Sequence, residues 1–150
     1  MIIAREKKPR QNPRKEEAVL QSQMVLWFKN TYPDIADCLF SVSNEGIAAA
    51  SKIAMGMTPG VSDLLYYDRI RGGLYGFEIK FKGKTHSLTH LVRQANWMLK
   101  VLGPGRGRFI DSLEDFKIAI SGGKAGILAE DALQIFNKNK SKSIRWDFKI

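Results

Sequence analysis

The chain carries a single cysteine, Cys38, so an internal disulfide is excluded and a reducing compartment fits. No apolar run approaches the roughly 18 residues of a membrane helix, and no secretory hydrophobic segment is read at the N-terminus, so neither a span nor a secretion signal is expected. With only two histidines beside that cysteine, no Cys/His pattern suggests structural zinc. Gly103-Pro104-Gly105-Arg106-Gly107 lacks the Lys-Ser/Thr ending of a phosphate loop, which argues against a nucleotide cofactor. No internal repeat is visible. Acidic residues are the scarce charge: 15 against 24 basic ones give a net +9. That excess makes a polyanionic partner plausible and says nothing about fold.

What is present suits one globular domain: 150 residues, 44% hydrophobic and 26% charged. Residues 1–15, with six basic side chains and two prolines, read as a basic flexible arm. Residues 16–30 form the first helix, with Glu17 and Gln21 on one face. After the Tyr32-Pro33-Asp34 break, 38–42 reads as a core strand and Ser43-Asn44-Glu45-Gly46 as its exit loop. There Asn44 and Glu45 serve either a turn or a substrate. Residues 47–57 are Ala-rich and helical. A loop at 84–88 leads to a long helix, 88–102, burying Leu91, Ala95, Met98, Leu99 and Leu102, with Thr85, Ser87 or Thr89 as its cap and Trp97 in packing. A strand at 108–110, a short helix at 112–120, a helix at 129–137 and an alternating strand at 143–150 complete the chain.

The stretch 59–82 carries the chemistry. Leu64 to Tyr67 is an apolar run of strand length, 68–73 is a polar turn ending in Gly-Gly, and Phe77, Ile79 and Phe81 alternate with Glu78, Lys80 and Lys82. Alternation places Glu78 and Lys80 on one face and sends the three apolar residues into the core. A hairpin in register brings Asp63 beside Glu78, so two carboxylates and an ammonium surround a space suited to a metal ion. His86 and His90 stand four apart, as zinc ligands do, but without the Glu of a His-Glu-x-x-His motif a surface or phosphate-contacting role is expected.

Asp63, followed after fourteen residues by Glu78-Ile79-Lys80, resembles the PD-(D/E)XK nuclease signature. With Thr58-Pro59-Gly60-Val61-Ser62 ahead of it and Gln94 on a downstream helix, the chain is most similar to the VRR-NUC family, the virus-type replication-repair nuclease domain, over roughly residues 16–115. The resemblance implies an α/β, restriction-endonuclease-like core whose central mixed sheet of about four strands is flanked by helices. The chain then divides into the arm, a nuclease domain at 16–121, and a C-terminal extension at 122–150, where the resemblance fades and whose strand completes a sheet or offers a dimer contact.

The resemblance also implies a Mg²⁺- or Mn²⁺-dependent DNA endonuclease acting on branched DNA such as four-way junctions, as a homodimer in the cytoplasm of a bacterial or phage-infected cell. Asp63, Glu78 and the Ile79 backbone carbonyl would hold one or two ions, Glu17 (in preference to Glu16) would add a carboxylate, and Lys80 and Gln94 would orient water or neutralise charge. Lys52, Lys82, Lys84, Arg106 and Arg108 are the expected DNA contacts. The competing expectation is a non-catalytic DNA-binding module that keeps a relict site.

Overall fold

A computed structural model describes residues 13–42 and 60–147. Residues 1–12 of the arm, Asn44, Glu45, Lys52, the 47–57 helix and the Thr58-Pro59 lead-in lie outside the described residues, as do the last three residues of the C-terminal strand.

Helix α1 (Pro13–Thr31) begins on a proline, which suits the first helical position because the missing N–H has no intrahelical partner there. A 3₁₀ segment (Pro33–Cys38) leads to β1 (Leu39–Phe40), shorter than the strand expected over 38–42. Strands β2 (Leu64–Tyr67) and β3 (Leu74–Ile79) form the expected hairpin, with Leu64 opposite Phe77 and Tyr67 opposite Leu74. Its turn closes through Asp68, whose amide donates to the Gly73 carbonyl and whose carboxylate accepts the Ile70 and Arg71 amides. Burial pulls the Asp68 carboxyl up, but those amides and the paired Arg71 guanidinium outweigh it and hold it below its ordinary value. The register of the hairpin is therefore locked from its turn.

Beyond the hairpin come β4 (Thr85–Ser87), α2 (Leu88–Trp97) with a π-helical turn (Met98–Leu102), and β5 (Gly107–Ile110). Helix α3 (Leu113–Ile120) follows, capped by Ser112, whose hydroxyl accepts the Asp115 amide; then β6 (Ile127–Leu128), α4 (Ala129–Lys138) and β7 (Ser143–Arg145). Ser87 takes the N-cap position of α2 without making a side-chain capping bond. The main sheet runs β1-β2-β3-β5-β6, one strand more than expected, with β3 and β5 parallel and the other pairs antiparallel. The result is a mixed α/β architecture with helices on both faces, compatible with an α/β nuclease-like core.

Strand alternation sorts the core into two clusters. Leu64, Tyr66, Phe77, Ile79 and Ile110 meet α1 and α3 on one face; Leu65 and Phe109 meet α2 and α4 on the other. Gly76 and Gly107 are paired across β3 and β5, and a Cβ on either would collide with Leu102 or Met98. Their bare backbone lets the end of α2 lie directly on the sheet, which sets the height of α2 over β3.

Three expectations change. The 84–88 segment is not simply a loop: Thr85–Ser87 is a strand pairing with β7, because the 143–150 pattern finds its partner within the chain. Phe81 is exposed rather than core, since β3 ends at Ile79 and the alternation no longer maps onto a sheet. Residues 13–15 belong to α1, so the arm is shorter than read.

The C-terminal helix and strand are present and share the domain's core. Phe136 of α4 packs edge-on to Phe109, and Trp146, 1% exposed, lies against Phe109 with ring centroids 5.3 Å apart. Trp146→Ala is expected to destabilise the fold by about 3–5 kcal/mol, read as a lowered urea midpoint. A change under about 1 kcal/mol would show that 122–150 is not part of the core. No helix among the described residues is long and apolar enough to cross a membrane.

Candidate active site

Strand β3 delivers Glu78 and Lys80 to one place. The main-sheet ladder continues one residue past β3, where the Lys80 amide donates to the Ile110 carbonyl at 2.9 Å. Both side chains therefore fall on the α2 face, with Phe77 and Ile79 on the other. Asp63 directly precedes β2, one residue beyond the Leu64–Phe77 pair that ends the ladder. Asp63 Oδ2 accepts the Ile79 amide at 2.8 Å, which fixes the carboxylate at the end of the strand. Glu78 and Lys80 are only 3% and 2% exposed, and buried charges persist only when paired and hydrogen-bonded. Lys80 Nζ lies 3.7 Å from Glu78 Oε1.

Helix α2 supplies the second support. Gln94 Nε2 donates to Glu78 Oε1 at 2.6 Å and lies 3.1 Å from His90 Nε2. That orientation suits the ionised form of Glu78, which attracts the NH₂ group and repels the carbonyl oxygen. Helix α1 supplies the third. Glu17 lines the same cavity, of about 270 Å³, together with Asp63, Glu78, Lys80, Gln94, His86, His90, Lys84 and Thr85. Glu16 does not line it and pairs with Lys84 at 3.4 Å. The cavity opens at the carboxyl end of β3, the end at which parallel strand pairs present their ligand sites.

The electrostatics follow from this crowding. Burial raises the Glu78 carboxyl well above its ordinary value, the Asp63 charge raises it further, and Lys80 opposes them. Glu17 is raised by burial, tempered by Lys80 and then raised again by Asp63. His86 is lowered to about 4, first by burial and then by the Lys80 charge. His90 is lowered for the same two reasons, in the same order. Both rings are thus neutral at pH 7. The 3.5 Å contact between His86 Nε2 and Glu17 Oε1 is then a polar contact without hydrogen-bond geometry, not an ion pair.

Asp63, Glu78, Lys80, Gln94 and Glu17 therefore line one cavity. The expected DNA contacts divide. Lys84 lines the cavity and Lys82 is exposed beside it in sequence, whereas Arg106 and Arg108 lie on the opposite face of the sheet. There they donate to the Gly72 and Ala125 carbonyls at 3.1 and 2.9 Å. Neither lines the cavity around Glu78. Trp97 packs against the second core, as expected.

His86 and His90 are the residues whose part was missed. The sequence reads His86 in the 84–88 loop and His90 on the helix that follows; the structure puts His86 on β4 and His90 on α2, both lining the cavity. Local sequence carries no signal for His86 standing on a strand, because β4 exists only through its pairing with β7.

The oxygens fit a hard divalent cation. Glu78 Oε2, Gln94 Oε1 and Glu17 Oε1 are buried acceptors without a hydrogen-bond donor, and such unmet groups ordinarily cost about 1–3 kcal/mol each. A cation among them would supply the missing positive partner. Among the described residues no three His, Cys, Asp or Glu side chains form a ready-made cage. A cation here would rely on few carboxylates and keep much of its water, which is the habit of Mg²⁺ rather than of structural zinc. Compared with family models, curated proteins and solved structures, the chain matches none.

Proposed function

We propose that the chain is a metal-dependent DNA endonuclease of the PD-(D/E)XK type, resembling the VRR-NUC family, with a restriction-endonuclease-like core. The observation that carries this reading is the convergence of Asp63, Glu78 and Lys80 at the end of β3, with Gln94 hydrogen-bonded to Glu78. An exposed Glu–Lys strand pair would be solvated and worth little, whereas these two are buried together at a cavity.

Asp63, Glu78 and the Ile79 carbonyl would hold Mg²⁺ or Mn²⁺, with Glu17 as a further carboxylate; the cation supplies Lewis acidity and a lowered water pKa. The chain's own groups do the positioning. Gln94 fixes Glu78 through Oε1 and leaves Oε2 without a protein donor. The Ile79 amide holds Asp63. Lys80, excluded from solvent, places its side-chain nitrogen where negative charge grows on a phosphodiester as water attacks phosphorus and the P–O bond breaks. The net charge of +9 offsets the repulsion that the carboxylates exert on a polyanion.

Branched DNA, a two-fold dimer and a cytoplasmic setting are the finer parts of this reading. Because β7 pairs with β4 within the chain, dimerisation needs a surface other than that strand's paired edge. The deciding experiment is cleavage of labelled four-way junction, flap, linear duplex and single-stranded DNA with Mg²⁺, Mn²⁺ or EDTA, beside sedimentation for mass. Cutting is expected with either metal, strongest on the junction, and none with EDTA. Binding without cutting in either metal points to the non-catalytic module, and cutting that survives EDTA places the active site elsewhere.

Gln94→Leu removes the donor to Glu78 while keeping side-chain bulk. It is expected to raise the half-saturating Mg²⁺ concentration for cutting by about 10–100-fold, the usual effect of losing a group that orients a ligand. The KM for DNA should stay put. An unchanged Mg²⁺ requirement would remove Gln94 from the site.

A further inference from the structure

The sheet face opposite the carboxylates holds a second polar cavity, of about 120 Å³, between the 68–73 turn, the 103–107 turn and the end of α3. Three arginines line it. The Arg71 and Arg106 guanidinium carbons lie 4.8 and 5.2 Å from the centroid of one ring, Tyr75. Arg108, on the neighbouring strand, joins them in the cavity. A Cβ at Gly73 would run into the Arg106 guanidinium, and one at Gly122 would crowd that of Arg71, so bare backbone makes the room they occupy.

Part of this cluster has a structural explanation. Arg71 pairs with Asp68 and reaches the Ile120 carbonyl at 3.4 Å, closing the hairpin turn against the negative end of α3. That role needs one arginine. Arg106 and Arg108 each hold one backbone carbonyl as well, of Gly72 and Ala125, which leaves the repulsion among three like charges in one small space unanswered. Burial and the Arg71 charge both depress the Arg108 pKa, against the pull of Glu130 and Asp131. Glu130 accepts the Gly105 amide at 3.0 Å, keeps its charge and is the stronger of the two pulls, while Asp131 is exposed. A guanidinium offers several N–H donors in a planar fork, and the bonds to Asp68, Ile120, Gly72 and Ala125 use only a few of them.

We infer that Arg71, Arg106 and Arg108 form an oxyanion site that takes a single phosphate group, separate from the carboxylate cavity and independent of it. The charge and fork geometry suit phosphate oxygens. The volume is well under the roughly 300 Å³ at which sites for whole small molecules begin, so one tetrahedral group is favoured over a nucleoside. The phosphate is either free or the terminal group of a nucleic-acid strand, which present the same chemistry. The inference stands whether or not the chain cuts DNA.

The test is calorimetric titration of the full chain with inorganic phosphate against chloride at matched ionic strength. Saturable binding is expected. Arg106→Gln and Arg108→Gln should each weaken it by roughly tenfold or more, while Lys80→Ala, across the sheet, should leave it unchanged. Unfolding midpoints in chloride identify any variant that fails to fold. The double variant Arg106→Lys with Arg108→Lys keeps the charge, removes the fork, and should also lose binding. Competition by a 5′-phosphorylated oligonucleotide but not its hydroxyl-ended twin assigns the site to a strand end; no competition by either assigns it to free phosphate. No response beyond chloride, or undiminished binding in the glutamine variants or in the double lysine variant, overturns the proposal.

Discussion

Lys80→Met is expected to lower the cleavage rate by about 10²–10³-fold, with DNA binding and the Mg²⁺ requirement nearly unchanged. Methionine fills most of the space of the lysine stem, so the change isolates the charge; Lys80→Ala adds a void and should lose rate at least as severely. Lys80 is 2% exposed and lies 3.7 Å from Glu78 Oε1, so its ammonium faces the carboxylate cavity and not bulk water. A group that stabilises charge only as it develops changes kcat and leaves KM alone. A cation ligand would do the reverse to the metal requirement, and deleting a positive charge beside a cation site should not weaken the cation.

Breaking a buried ion pair ordinarily costs about 3–5 kcal/mol because an unpaired charge is left behind. Here the loss should be smaller, because burial and Asp63 already push Glu78 toward its protonated form and removing Lys80 pushes it further. Single-turnover cleavage and urea unfolding of the same preparations separate the two effects. Near wild-type cutting by Lys80→Met would remove lysine from the chemistry and with it the reading of this site as a nuclease centre.

The parts of this site that depend on a two-residue period were legible in the sequence. Glu78 and Lys80 share a face because alternation allows nothing else, and Asp63 joins them because Asp68 and the glycines at 72 and 73 fix the turn and hence the register. Glu17 and Gln94 were reached through the family resemblance. Their meeting at Glu78 depends on how α1 and α2 sit on the sheet, and that is decided by contacts such as those at Gly76 and Gly107.

What stayed hidden is non-local. Strand β4 is Thr-His-Ser, with no apolar alternation of its own, and it becomes a strand because residues 143–145 pair with it. His86 enters the cavity through that pairing. Arg106 and Arg108 were assigned to DNA by charge alone. Once Arg108 pairs with Phe77, parity carries both arginines to the face away from Glu78.

In metal-free buffer the wild-type protein should lose stability as pH rises above the ordinary carboxylate range, and Glu78→Gln should abolish much of that loss. The folded carboxyl of Glu78 lies well above its unfolded value of 4.5, first through burial and then through Asp63. Between those two values the folded chain binds the extra proton, so stability falls with rising pH by up to about 1.4 kcal/mol per pH unit for each such proton. The contribution is complete below the unfolded value and gone once pH passes the folded one. Glu17 and Asp111, both raised chiefly by burial, act in the same direction.

The histidines act oppositely. His86 falls from 6.5 to about 4, so between those values the unfolded chain binds more protons and stability rises with pH; His90 is lowered too and adds to this. The two tendencies offset each other up to about pH 6.5. Above that the histidines no longer contribute, so any further fall comes from the raised carboxyls, Glu78 first. Glu78→Gln should therefore show the histidine rise and then a flatter curve. Adding Mg²⁺ to the wild type should lift the high-pH limb, because the cation binds the deprotonated carboxylates of the folded state alone, and the glutamine variant should lose most of that lift along with cutting. Urea unfolding across this range, in EDTA and in Mg²⁺, measures all four curves. Superimposable wild-type and Glu78→Gln curves in EDTA would mean that the buried proton is not on Glu78. The loss of the Mg²⁺ lift in the variant tests separately whether that carboxylate holds the cation.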